Sequence, residues 1–229
     1  MFPSTAFSLD RLVELVPAIK PRLYSIASAQ EMMGNDLELC IIAEDWEARD
    51  FKSHPGAKKE RHGLNTYDMR TRDVNTGPSI VASMCAGGIN VPDHHKDPFI
   101  MCGLGTGIAP LRAMIQERTM FKNRGEEVGP MSLYFGFRNS SNEYTYEEEL
   151  KDWHDNGKGV LTNLHVAPSR DQKDKVYVQH KMDENLQELY ELIYKQNGYF
   201  YLCGPAGRIP AEARKSIIKA FVQNGHTEK

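Results

Sequence analysis

PFIMCGLGTGIAPLRAMIQER, residues 98–118, holds the transition on which the fold turns. Its first residues, PFIMCG (98–103), read as a short apolar strand, and from Ala109 to Asn123 the pattern is helical. Between them lies GLGTGIAP (103–110). A glycine-rich turn that leaves a strand and opens a helix is the context a phosphate loop needs. Gly103, Gly105 and Gly107 let the backbone approach an anion, Thr106 adds a hydroxyl, and the helix N-terminus presents free N–H groups with partial positive charge. The spacing is not GxGxxG with an acidic residue at the right distance, so the ordinary dinucleotide fingerprint fits poorly. Taken alone, the turn serves as well for a plain strand-to-helix connection.

Working outward, strands and helices alternate. MSLYFGF (131–137), VLTNLHVA (160–167) and GYFYLCG (198–204) read as strands, while 143–156, 174–196 and 210–223 read as helical. Such alternation predicts a parallel sheet with covered faces. Before Pro98 the character differs. SLDRLVELVPA (8–18) has leucine and valine at helical spacing behind Ser8, a plausible N-cap. Pro21 then favours extended chain. RLYSIAS (22–28), LELCIIAE (37–44) and GPSIVASMC (77–85) read as strands, and the charged stretch 45–62, with Pro55 and Gly56, reads as a loop. The expected class is therefore α/β plus β.

The bulk composition narrows the function classes. Among 229 residues, 40% are hydrophobic and 26% charged, ordinary for a soluble chain. A net charge of −3 argues against nucleic acid as the main partner, because phosphate backbones demand a basic surface. No apolar run approaches the roughly 20 residues of a membrane span, and Met1 to Leu12 lack the pattern of a signal peptide. Cys40, Cys85, Cys102 and Cys203 form no CxxC pair, so no metal site is expected and a reducing, cytoplasmic compartment fits best.

A second cluster answers the glycine turn. SRDQKDKVYVQ (169–179) places Ser169, Arg170, Lys175, Tyr177 and Gln179 just past a strand, at the ligand edge of an open α/β sheet. Arg170 suits a phosphate monoester, being planar, always charged and able to bond two oxygens. Lys175 adds charge, and Tyr177 offers a face for an adenine ring. In isolation the stretch reads more simply as a solvated, charged loop.

Taken together with RLYSIAS (22–28), HGLNT (62–66), LYFGFRN (133–139) and YLCGPA (201–206), these two clusters resemble the diflavin reductase family, the NADPH–cytochrome reductase and sulfite reductase flavoprotein type within the ferredoxin–NADP reductase superfamily. Six motifs in the right order are specific where no single one suffices. The resemblance implies a partial antiparallel flavin barrel over 21–96 and an open parallel-sheet, NADPH-binding α/β domain over 97–229. Residues 1–20 would be the remnant of a connecting helix.

It also implies roles. Arg22 would bind the FAD pyrophosphate, Tyr24 stack on the flavin ring, and Ser25 hydrogen-bond near the ring nitrogen that accepts hydride. Trp46 would lie over the FAD adenine, and the turn Gly63, Leu64, Asn65 and Thr66 would meet the FAD pyrophosphate. Asn65 stands where a small residue or cysteine is usual. Gly105, Thr106, Gly107 and Arg138 would meet the NADPH pyrophosphate. Ser169, Arg170 and Lys175 would hold its 2′-phosphate, with Tyr177 and Gln179 beside them. Cys203 would lie by the nicotinamide, making Ser25 and Cys203 the expected hydride-site pair. Glu147, Glu148 and Glu149 read as a solvated helix face.

The implied activity is hydride transfer from NADPH to FAD, with electrons going on to FMN in a further domain or to a haem- or sulfite-reductase-type acceptor. Departures point to a fragment or a truncated relative: about 20 residues precede RLYS where the family has further barrel strands, and the chain ends at Lys229 before a terminal aromatic. FAD is then expected to bind weakly. The rival reading is a non-catalytic NADP(H)-binding or docking module. A single-flavin ferredoxin-type reductase fits less well. Attachment to the cytoplasmic face of a membrane would depend on a region outside this sequence.

Overall fold

The computed structural model describes residues 6, 8–47, 60–75, 80–89, 91, 95–155 and 159–227. Its centre is a four-stranded parallel sheet of β3 (Phe99–Leu104), β4 (Met131–Phe137), β5 (Asn163–Pro168) and β6 (Tyr199–Cys203), in the order β5-β4-β3-β6. The chain steps outward from β3 through β4 to β5, then returns to place β6 on the other side of β3. That reversal makes a topological switch point between β3 and β6, where open α/β sheets leave a crevice beyond their strand ends.

Side chains of successive strand residues face opposite sides, and the core divides accordingly. Phe99 and Met101 join Leu133, Phe135 and Phe137 on one face, under α4 (Ile108–Asn123) and α6 (Glu147–His154). Ile100, Cys102 and Tyr134 lie on the other, under α7 (Val178–Glu184), α8 (Leu186–Tyr190) and α9 (Arg208–Gln223). All seven residues of β4 are buried, as expected of an inner strand covered on both faces. The expected elements of this half are all present. The helical stretch 174–196 is divided into α7, α8 and a π-helical turn over Glu191–Lys195.

The N-terminal half is more sparsely paired than its sequence suggests. Helix α1 (Leu9–Leu15) forms behind Ser8, whose hydroxyl accepts from the Arg11 N–H at 3.4 Å, and it stops at Val16, just before Pro17. The expected strands 22–28 and 37–44 are extended but not strands, because a ladder needs a partner and among the described residues only Ile26 and Leu39 form a β-bridge there. The described part of the expected strand 77–85 is likewise unpaired, with Val81 98% exposed; residues 76–79 lie outside the described set. The expected loop over 45–62 instead has paired ends: β1 (Asp45–Glu47) runs antiparallel to β2 (Glu60–His62). Residues 48–59 lie outside the described set. A short helix follows α1, α2 (Gln30–Met33), and the expected turn over Gly63–Thr66 is instead the start of a helix, α3 (Leu64–Thr71), with Gly63 as its N-cap.

One side chain ties the halves together. Arg112 of α4 is 5% exposed. Its guanidinium donates to the Ala27 carbonyl at 2.7 Å and to both carboxylate oxygens of Glu149 at 2.8 and 3.0 Å. It also pairs with Glu38 and lies 4.5 Å from the centre of the Tyr146 ring. One turn on, the Gln116 side chain accepts from the Ala29 N–H at 2.9 Å. Burial works against the Arg112 charge, but Glu149 and Glu38 more than offset it and hold the group protonated.

Replacing Leu133, which is fully buried, with alanine is expected to cost about 2–5 kcal/mol in urea unfolding. Arg112→Ala is expected to cost roughly 1–3 kcal/mol, because it removes the cation paired with Glu38 and Glu149 and leaves the Ala27 carbonyl without its donor. Proteolysis within 22–42 should then quicken while the core of the parallel sheet stays protected.

Candidate functional site

The loop after β3 has the geometry its glycines suggested, for two different reasons. Gly105 has φ +53°, a left-handed conformation that L side chains rarely adopt, with open space around it. At Gly107 the obstacle is contact: a Cβ there would sit 2.1 Å from the Cys203 carbonyl oxygen. The loop is pressed against the end of β6, so Gly105–Gly107 form a single 3-10 turn running directly into α4 at the switch point.

Beside this loop opens a cleft of about 1030 Å³. Thr106 and Arg138 line it from the α/β side. Arg22, Tyr24, Trp46, Gly63, Leu64, Asn65 and Thr66 line it from the N-terminal side. Both groups of residues singled out from separate motifs thus share one cavity. Thr66 braces its wall by accepting from the Glu44 N–H at 3.4 Å and donating to the Gly63 carbonyl at 3.2 Å. Asp45 braces the rim. It accepts from Arg70 at 2.7 Å and meets His62 at 2.5 Å, and these bonds, Arg70's first, hold its carboxyl below the usual range.

Ser169 and Arg170 lie next to this wall. Their N–H groups continue the β4–β5 ladder, donating to Phe137 at 2.9 Å and to Arg138 at 2.8 Å. Arg170, Lys175 and Tyr177 are exposed. Gln179 sits in α7 with its amide oxygen buried and without a protein partner. Ser25 is exposed and Cys203 half-buried at the end of β6, and no hydrogen bond links this expected pair. Burial raises the Cys203 thiol, and burial together with Cys203 pushes Cys102 up to about 12, so both are neutral thiols at physiological pH.

Sequence reasoning missed the polar face of α4. Arg112, Gln116 and Arg118 are all buried. Arg118 donates to the carbonyls of Asp97 and Gly129 at 2.8 and 3.1 Å and lies 4.0 Å over the Phe99 ring. The signal was an Arg and a Gln four residues apart among the apolar residues of the first three turns. Glu149 is the partner of Arg112 and not merely part of a solvated acidic face.

Residues 101–212 match the family of oxidoreductase NAD-binding domains, and residues 1–60 match the family of FAD-binding domains. Among curated proteins, the chain is 37% identical to the pyruvate dehydrogenase [NADP(+)] of Cryptosporidium parvum, over 99% of this chain and 12% of that protein. It is 36% identical to the sulfite reductase [NADPH] flavoprotein component of Saccharomyces cerevisiae, over 92% of this chain and 19% of that protein. It is 34% identical to the NADPH–cytochrome P-450 reductase of Rattus norvegicus, over 99% of this chain and 33% of that protein. The chain thus spans a third or less of these relatives.

Gly107→Ala is expected to destabilise the chain more than Gly105→Ala in thermal melts, since the first meets backbone and the second only a backbone strain of about 1–2 kcal/mol. With iodoacetamide at pH 8, mass spectrometry should find exposed Cys85 labelled long before Cys102, which should react only after unfolding.

Proposed function

The chain belongs to the diflavin reductase family, and we propose that it forms the nicotinamide- and flavin-binding part of an NADPH-dependent flavoprotein reductase. In this reading residues 97–229 bind NADPH and residues 21–96 form part of a flavin barrel wall, with 1–20 as connecting helix. Hydride passes from NADPH to FAD, and electrons pass on to FMN in a further domain or to a haem- or sulfite-reductase-type acceptor. The observation that carries it is the shared cleft, in which the Arg22–Tyr24 and Gly63–Thr66 motifs face Thr106 and Arg138.

The residues present fit the two cofactors. The cavity of about 1030 Å³ lies at the upper end of small-molecule sites, roughly 300–1,000 Å³. Gly107 keeps its backbone free of any side chain at a point where one would strike β6, leaving loop N–H groups open to a pyrophosphate. Arg22 and Arg138 supply cations, and Tyr24 and Trp46 supply aromatic faces for flat rings. Ser169, Arg170 and Lys175 are the proposed 2′-phosphate ligands. Tyr177 and Gln179 stand beside them in sequence.

FAD, when bound, supplies the two-electron acceptor that no side chain provides. The chain's own residues bind, align and neutralise. Arg112 fixes the 22–38 segment against the helix of the phosphate loop, so the ring held by Tyr24 and the dinucleotide held by Thr106 keep a constant separation. Ser25 presents a hydroxyl for the flavin ring, and Cys203 a neutral thiol beside the nicotinamide.

A second reading, a non-catalytic NADP(H)-binding or docking module, is favoured by one observation. Among the described residues, segments 22–28 and 37–44 share an isolated antiparallel bridge, Ile26–Leu39, with the Ala27 N–H bonded to the Glu38 carbonyl, and no longer ladder. Purified protein that binds NADP⁺ but neither retains nor takes up FAD would select it. No helix among the described residues is long and apolar enough to cross a membrane.

Calorimetric titration should show NADP⁺ binding at least about tenfold tighter than NAD⁺, a difference of about 1.4 kcal/mol. Arg170→Gln should erase most of that preference while leaving NAD⁺ binding unchanged. Equal affinity for the two dinucleotides in the unaltered chain would remove the phosphate assignment. In the flavin-loaded protein, Ser25→Ala and Cys203→Ala are expected to slow flavin reduction by NADPH severely, and unchanged rates in both would remove the hydride-site assignment.

A further inference from the structure

Arg138 reaches the cleft already engaged. Its Nε and Nη2 donate to the two carboxylate oxygens of Glu143 at 3.1 and 2.8 Å, and its own backbone N–H donates to the same carboxylate at 3.0 Å. This is a two-oxygen fork, the arrangement in which a guanidinium also grips a phosphate. Glu143 ends the short helix α5 (Ser140–Glu143), whose start is pinned to the other cluster. Asp171 accepts from the Ser140 N–H at 3.1 Å and from its hydroxyl at 2.5 Å. The carboxylate is therefore presented by a braced turn and not by a freely swinging side chain.

We propose that Glu143 is a resident competitor for the dinucleotide: its carboxylate holds the phosphate-binding fork of Arg138, and a phosphate group of NADP⁺ must displace it. The proposal deepens the preceding reading and rests on Arg138 as a phosphate ligand. Partial burial disfavours the Glu143 charge, but the bonds and charge of Arg138, with Arg170 nearby, hold the carboxyl below its usual range. The competitor is thus a carboxylate at neutral pH. Arg138 remains more than half exposed beside its partner, at 56%, so an incoming phosphate has a face to approach. Exchange of one anion for another keeps the cation neutralised throughout. Its consequence is an affinity lowered by the strength of the displaced pair, and product release eased by the same amount.

The test is a titration of the chain with NADP⁺ in four forms: unaltered, Glu143→Gln, Arg138→Gln, and both together. Glutamine keeps an oxygen for the Arg138 N–H while removing the charge. Glu143→Gln is expected to bind NADP⁺ about two- to fivefold tighter, the range set by a partly exposed ion pair. Arg138→Gln is expected to bind more weakly, and adding Glu143→Gln to it should change nothing further, because the competition has lost its object. Glu143→Ala provides an independent removal of the carboxylate and should show the same sign, with thermal melts confirming that each variant is folded. Binding by the unaltered chain with no gain in either Glu143 variant overturns the competitor role and leaves the dinucleotide site standing. No binding by the unaltered chain overturns both.

Discussion

A single guanidinium, buried among two carboxylates, a carbonyl and a tyrosine ring, holds the two halves of this molecule in register. Arg112 belongs to the helix that begins at the glycine loop, yet it bonds Ala27 and Glu38 of the N-terminal half. An arginine at 5% exposure is tolerated only when fully bonded, so the position of the 22–38 segment is dictated by the need to satisfy that charge. Gln116, bonding the Ala29 N–H one turn later, makes the contact a line and not a point. The Arg124–Glu31 ion pair and the packing of Cys40 against the core add to it, and the cleft lies beside this seam.

The α/β half needs no such device. Its sheet is covered on both faces, the helices α4 and α6 filling one side and α7, α8 and α9 the other. The site lies where this rigid unit ends, at the switch point between β3 and β6. There Gly107 admits the closest backbone approach in the loop. On the other side the wall is sparsely bridged, with Ile26–Leu39 the isolated bridge among the described residues.

How much of this was legible in the residues depends on where the information was local. Continuous apolar runs such as MSLYFGF and the helical pattern after Ala109 specify buried strands and helices by themselves, and the parallel sheet followed. RLYSIAS and LELCIIAE have equally good strand character, but strand formation requires a neighbour, and the described residues provide one bridge between them. Local pattern cannot report a partner. Thr106 was read from the glycine turn itself and the other motif residues on the two cleft walls from the resemblance, while the Arg112 cluster was invisible because Glu38, Ala27 and Glu149 are brought to it from 37 to 85 positions away. Glu143 escaped notice for the opposite reason: an acidic residue five positions after Arg138 looks like ordinary surface charge until the fork is seen.

The central claim is that a phosphorylated dinucleotide sits in the crevice bounded by the glycine loop and the strand ends of β4 and β5. Amide hydrogen exchange of the chain with and without saturating NADP⁺ tests it most directly. The account expects new protection over residues 104–108 and 138–140, extending into 169–175, with little change along α8 and α9. Protection confined to α9 or its C-terminal end, with the glycine loop unaltered, would contradict it.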